Sequence, residues 1–586
     1  MPTRAPQLTL ILSLLIGCSS LPDTPIERFD DGGNAGTGAG SGGASNAGKA
    51  GATGKGGSTS SGGRGGTSAG TSSKSGSGGQ GEAGSSSGVG GTGALAGDGG
   101  SGASPAGSSG GGSPPSAGQS GGGSGGAGGS GSSGMPNAPV GCEDPGFDAA
   151  DFRTVYEVGP GEDYATPSDV PWEALEPSTL VRIHARSEPY RDKWVLNAAG
   201  TEAEPIVVLG VPEAGVLPII TGEDAVTRSE LDYWNEPRGV VKIGGANVGD
   251  GAAYLTVACL DIRSARAGVS FTEAGGGTAE YADNAACVYL EEGRNITVQQ
   301  NLIHDCGNGI FSSSGVSDLV ISGNHVFDNG NAGSVYEHNS YTEATNITFE
   351  FNHFGPLCAD CGGNNIKDRS AGTVVRYNWI EGGNRQLDLV ESDYDELIDN
   401  PAYRETFVYG NVLVEPDGAG NSQIVHYGGD GGDETKYRKG TLYFVYNTIV
   451  STRAGNTTLF RLSSDDETAD VRNNLIWASS GGSRLAILDE TGSASLMGNW
   501  LSTGWVETHG SLTGSVDDGG NLDGADPGFA NVANQDFSLC GCSPCKGTAV
   551  ALPAELAICA PEFEYVKDQS GAPRASGVDV GAYQSR

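Results

Sequence analysis

The chain has 586 residues and a formal net charge of −38, with 33 basic against 71 acidic side chains. So many carboxylates exclude nucleic acid as a partner, because phosphate binding needs an excess of cations; they suit calcium, which takes oxygen ligands, and equally plain acidic solubility. Glycine supplies 100 residues and aromatics only 7% of the chain, so part of it must do without a core.

Residues 1–17 hold one early positive charge, Arg4, and an apolar run from Leu8 to Ile16 that is too short to stay as a membrane span. They read as a signal peptide. The run ends in Leu15-Ile16-Gly17-Cys18-Ser19-Ser20, which resembles the lipobox of bacterial lipoproteins. That resemblance implies acylation of Cys18, the mature N-terminus over 18–30 and a membrane anchor through its lipid. Ser19 stands where the inner-membrane retention signal has Asp, which implies the outer membrane and with it the cell surface. Residues 31–140 are nearly all Gly, Ser, Ala and Thr without apolar periodicity. Such a stretch cannot bury enough surface to offset the entropy of ordering, so it is expected to be a disordered linker with a reach of ~50–60 Å.

The rest is read as one elongated domain: an entry cap with first coils over 141–255, a repeat region over 256–530 and a C-terminal cap over 531–586. With Cys18 committed to lipid, an even number of the 11 cysteines remains, and in an oxidising compartment that suggests disulfides. Cys358-Ala-Asp-Cys361 and Cys540-Gly-Cys542-Ser-Pro-Cys545 also have spacings compatible with zinc or redox chemistry. Neither run contains a histidine, and loop disulfides are the expectation.

The repeat is an alternating apolar stretch, an Asn, then another apolar pair. Copies are NITVQQNLI at Asn301, LVISGNHVF at Asn324, ITFEFNHF at Asn352, TVVRYNWI at Asn378, TFVYGNVLV at Asn411, LYFVYNTIV at Asn447, VRNNLIW at Asn474 and LMGNWL at Asn499, separated by 23, 28, 26, 33, 36, 27 and 25 residues. Period-two alternation makes each unit a strand, and units this short bury their inward row only by stacking. The fold class that follows is all-β, a solenoid of parallel coils. Asn suits the sharp bend, tolerating left-handed backbone and bonding its amide to the Asn one coil on.

These repeats, with the entry segment EPIVVLGVPEAGVLPIITG and the exit segments DPGFANVANQDFSL and GVDVGAY, resemble the single-stranded right-handed parallel β-helix proteins of the pectate lyase-like superfamily over about 155–583. The resemblance implies action on polysaccharides, on an outward-facing sheet. Aligning GIFSSS (309–314), SVYEHN (334–339), NNIKDRS (364–370), RQLDLVE (385–391), SQIVHYG (422–428) and TLFRLSS (458–464) points Ile310, Val335, Ile366, Leu387, Ile424 and Leu459 inward. Tyr336, His338, Lys367, Arg369 and Asp388 then face out, flanked by Arg385, Glu391, His426, Tyr427 and Tyr341.

Three functions fit this row. NNIKDRS resembles the lysine-bearing strand of chondroitinase B-like and alginate lyase β-helices. That resemblance implies β-elimination on a uronate polymer, with Lys367 as a base of lowered pKa, Arg385 as the later Arg, and calcium helping to grip the substrate carboxylate. Paired carboxylates, Asp388 and Glu391 with Glu337 or Asp368 nearby, fit glycoside hydrolysis instead. Exposed Tyr336, Tyr341 and Tyr427 fit a non-catalytic glycan-binding or adhesive solenoid. A monomer is expected, with a polysaccharide as substrate or ligand.

Overall fold

A computed structural model describes residues 142, 146–231, 233–246, 249, 251–566, 570–575 and 577–585. The signal peptide, Cys18 and the linker over 31–140 lie outside the described residues. Two sheets run through the domain: one of 24 strands from Thr154–Val158 to Ser515–Asp518, and one of 11 strands from Ile219–Thr221 to Leu522–Gly524. Nearly every strand pairs in parallel with its counterpart a coil later, so the chain winds as a parallel β-helix whose first coil begins at Thr154.

The interior is a stack of rows that run along the axis. One reads Val257, Val298, Ile321, Phe349, Val375, Val408, Phe444, Val471 and Leu496, each level with the next and each buried. Coils lie ~4.8 Å apart, so no coil shields its own row and each depends on both neighbours.

The repeated asparagines form one ladder at a bend. Asn301, Asn324, Asn352, Asn378, Asn411, Asn447, Asn474 and Asn499 are all fully buried, and each donates its amide to the next side-chain oxygen at 2.8–3.1 Å, ending on Asn521. The left-handed residue, however, is the one before each Asn: Gln300, Phe351, Tyr377 and Tyr446 have φ of 55–56°. The asparagine earns its place through the amide ladder and not through its own backbone preference, and the ladder is strong enough to hold aromatic residues at positive φ.

Among the described residues four disulfides form, Cys142–Cys259, Cys287–Cys306, Cys358–Cys361 and Cys540–Cys542. Both short motifs are therefore loop disulfides. Among the described residues Cys545 and Cys559 are free, buried in different apolar clusters, and burial pushes both thiols up to about 12, which leaves them little thiolate to react. After Leu522–Gly524 the chain turns back along the flank, where Phe563 packs on Phe351 and Tyr377.

Candidate functional site

Short strands on one face carry an outward row whose members are level from coil to coil: Lys242, Tyr289, Phe311, Tyr341, Lys367, Asp388, His426 and Arg461. Their inward neighbours are Val241, Val288, Ile310, Ser340, Ile366, Leu387, Val425 and Phe460.

Two parts of the expected register are corrected. Residues 334–339 form no strand; the strand is Ser340–Thr342, and its inward residue is a fully buried serine, which apolar alignment passes over for Val335. Val335 and Tyr336 are therefore exposed, Tyr336 by 75%. In the later coils Ile424 and Leu459 are buried within their strands, but Val425 and Phe460 are the residues level with Leu387. The slip of one sends His426 outward beside Asp388 and Tyr427 into the core.

Asp388 is the centre of the site. It is 1% exposed, and both oxygens are taken. Oδ2 accepts from Lys367 Nζ at 2.9 Å and Asn364 Nδ2 at 2.8 Å; Oδ1 meets His426 Nδ1 at 2.8 Å and Arg385 Nη1 at 3.6 Å. Burial opposes its charge, but Lys367, His426 and Arg385 outweigh burial and hold the carboxyl well below the usual range. With Nδ1–H on Asp388, His426 presents Nε2 to the Ser463 hydroxyl at 2.9 Å. Ser463 in turn accepts the Gly429 N–H at 2.8 Å, so the buried carboxylate is tied through two side chains to the loop over the site.

That loop, Gly428-Gly429-Asp430-Gly431-Gly432, brings in a residue that the alternation of strands could not reveal. Asp430 Oδ2 accepts from Lys367 Nζ at 2.6 Å, and its other oxygen lies 3.8 Å from Arg369 Nη2, with the side chain 37% exposed. Glu391 accepts the N–H groups of Asp430 and Gly431. The glycines are required by space: a Cβ on Gly429 would lie 2.0 Å from the Tyr437 ring and one on Gly431 2.4 Å from Glu391. A composition that reads as a flexible rim is a tightly packed mount for one carboxylate.

Three chemical expectations change. Burial lowers the pKa of Lys367, but Asp388 and Asp430 more than reverse this and leave it raised, so Lys367 is a fixed cation and not a base poised near neutrality. Glu391 is 3% exposed and spends both oxygens on backbone amides, so it positions the loop. Paired-carboxylate hydrolysis by Asp388 and Glu391 therefore lacks an accessible pair. Asp368 is fully buried against Thr342, Ser370 and Thr373, and Glu337 is 5% exposed in the loop before Ser340–Thr342.

The structure does bring His338, Tyr341, Lys367, Arg369, Arg385, Asp388 and His426 together. Arg385 donates to Gln423 at 2.8 Å and Arg369 to Asp393 at 3.1 Å. His338 accepts the Asn364 N–H on Nδ1 at 2.8 Å and meets the Tyr341 ring edge-on at 5.3 Å. Burial, then Lys367, push its pKa down to about 3. An unfolded histidine takes up its proton near pH ~6.5, so acid favours the unfolded chain from about that pH down to about 3. Stability is expected to fall by up to ~1.4 kcal/mol per pH unit for this residue. Melting temperatures measured across this window should drop, and His338→Gln should flatten the slope; an unchanged slope would contradict the burial of a neutral imidazole.

Among the described residues one group could hold a metal, Glu157, Glu162 and His184, on the first coils and already engaged: Glu157 bonds Arg182 and His184 at 2.6 Å each. The carboxylates of the outward row face cations.

A family model for the right handed beta helix region matches residues 251–387. The fold is a right-handed parallel β-helix. No curated protein matches the chain in sequence. Among solved structures, an alginate lyase from Paenibacillus sp. str. FPU-7 is 11% identical with a TM-score of 0.38, over 63% of this chain and 99% of its own. A GH136 lacto-N-biosidase from Eubacterium ramulus is 14% identical with a TM-score of 0.40, over 63% and 68%. PfbA, a surface adhesin of Streptococcus pneumoniae, is 10% identical with a TM-score of 0.35, over 59% and 83%. A lyase, a biosidase and an adhesin differ in function, and at these identities none of them fixes what this right-handed β-helix does.

Proposed function

We propose that this β-helix cleaves an acidic, uronate-containing polysaccharide by β-elimination, working at the outer membrane on a tether anchored through Cys18. The anchor and location rest on the lipobox-like sequence alone. The observation that carries the reaction is the Asp430 carboxylate resting on Lys367 at 2.6 Å with Arg369 at 3.8 Å, on the solvent side of the row. Lys367 and Arg369 form a grip for a carboxylate, and Asp430 stands where the acid group of a sugar would be held.

Elimination needs that grip. The C–H beside a carboxylate is weakly acidic, and cations on the carboxylate stabilise the charge that develops as the proton leaves. The C–H bond and the C–O bond to the leaving sugar break, a C=C bond forms, and the leaving oxygen takes a proton. Lys367, kept protonated, and Arg369 hold the acid group. Tyr341, level with Lys367 one coil earlier and with the two cations 6.0 and 5.7 Å from its ring centre, is placed to take the C–H proton as its phenolate and then, as the phenol, to give a proton to the leaving oxygen. Burial raises its pKa, and Arg369 and Lys367 oppose that rise without cancelling it, so the reacting phenolate, and the rate with it, should grow as pH rises.

The test is a screen of alginate, polygalacturonate, chondroitin sulfate and neutral glucans, with and without calcium, following ultraviolet absorbance of unsaturated uronates and reducing ends together. Absorbance should appear with an acidic polymer and fall at least about a hundredfold in Lys367→Gln and in Tyr341→Phe. Reducing ends without unsaturation would sink elimination. Glycan binding without cleavage is favoured by one feature, the exposed ring of Tyr336 at the rim, and its mark would be saturable binding with no product.

A further inference from the structure

We infer that Arg238 forms a second acid-recognising subsite in the same groove, so that the polymer is read at two acidic groups and not one. This rests on the reading that the groove takes an acidic polysaccharide.

Arg238 lies at the end of the turn Glu236–Arg238, just before the strand Gly239–Ile243. Its guanidinium carbon sits 4.9 Å from the ring centre of Tyr289 and 4.7 Å from that of Phe311, over the outward row. Its Nε and Nη2 are buried and have no hydrogen-bond partner. Lys242 and Glu291, on the same stretch, are paired with each other at 2.8 Å. Stacking on the rings stabilises the guanidinium, whereas each hydrogen bond missing from a charged buried group costs more than a typical contact returns. The rings alone do not offset two orphaned donors, and an anionic ligand would.

The position fits a polymer. Phe311 and Lys367 are two coils apart in the row, ~10 Å. Between them the floor is paved by Phe311 and Tyr341, whose ring centres are 5.2 Å apart. Trp234, in the loop that leads to Arg238, and Tyr394, after the strand Leu387–Leu389, are 57% and 44% exposed. Aromatic faces suit the apolar faces of sugar rings, with an acid group gripped at either end: one by Lys367 and Arg369, the other by Arg238.

The experiment is calorimetric binding of oligogalacturonates and oligoalginates, as dimers and as hexamers, to the wild type, Arg238→Gln and Lys367→Gln. Arg238→Gln should weaken hexamer binding at least about tenfold and leave dimer binding unchanged, while Lys367→Gln weakens both. Equal weakening of dimer and hexamer by Arg238→Gln, or no weakening of either, would overturn the second subsite and leave the first intact. A wild type that binds neither length would overturn the acidic-polymer reading itself. Should Arg238→Gln fail to fold, Arg238→Lys, which keeps the charge but lacks the fork of donors, carries the same comparison.

Discussion

Asn378→Leu is expected to cost roughly 4 kcal/mol or more of stability. The Asn378 amide donates at 2.9 Å to Phe349 O, Arg376 O and Asn411 Oδ1, and its oxygen accepts from Asn352 N at 3.0 Å and Asn352 Nδ2 at 2.9 Å. Leucine is close in volume and leaves those buried partners unmet, each at about 1–3 kcal/mol. The break falls mid-ladder, so coils on either side lose register support. Urea unfolding followed by circular dichroism measures the shift. Asn346→Gly provides the contrast: its bond to Asp318 at 3.0 Å is exposed, glycine adopts its φ of 59° without strain, and the expected change is within about 0.5 kcal/mol. Equal effects at the two sites would show that the ladder is ornament to the stacked core.

Lys367→Met is expected to destabilise by roughly 3–5 kcal/mol as well as to abolish activity, because it strands Asp388 as a buried charge without its main cation. Adding Asp388→Asn should restore most of the stability, since the amide keeps the bond to His426 without the charge, and should restore none of the activity. The double variant separates the structural role of the ion pair from its chemical role. A single variant as stable as the wild type would mean that Arg385 and His426 suffice for Asp388, and that Lys367 is dispensable to the fold.

The two large effects differ in how far they could be foreseen. The ladder asparagines are legible because every coil repeats the same polar residue between apolar pairs, and burial demands the same bond of each. The site is less legible because the signals that place a strand are local averages. Ser340 is an inward residue that is polar, and Ile424-Val425 is a buried pair in which only the second is level with Leu387. The first moves the strand from 334–339 to Ser340–Thr342, and the second slips the register by one, which turns His426 outward and Tyr427 inward. The protonation of Lys367 is out of reach for a different reason: against burial it is held by Asp388 together with Asp430, and Asp430 is distant in sequence and carried on a loop that belongs to no strand. Four glycines around one carboxylate, directly after a strand of the row, are the trace it leaves.

The most direct test of the account is retention of the protein on acidic polysaccharides compared with the same polymers after carboxyl reduction, which removes the carboxylates and keeps the chain and any sulfate groups. Alginate, polygalacturonate and chondroitin sulfate are the probes, with salt as the second variable. The account predicts that at least one acidic polymer binds, that its reduced form does not, and that Asp430→Asn tightens the binding by removing the internal competitor for Lys367 and Arg369. Binding that survives carboxyl reduction, or an acidic polymer held no better by Asp430→Asn, would contradict the claim that this face of the β-helix is built to grip an acidic sugar.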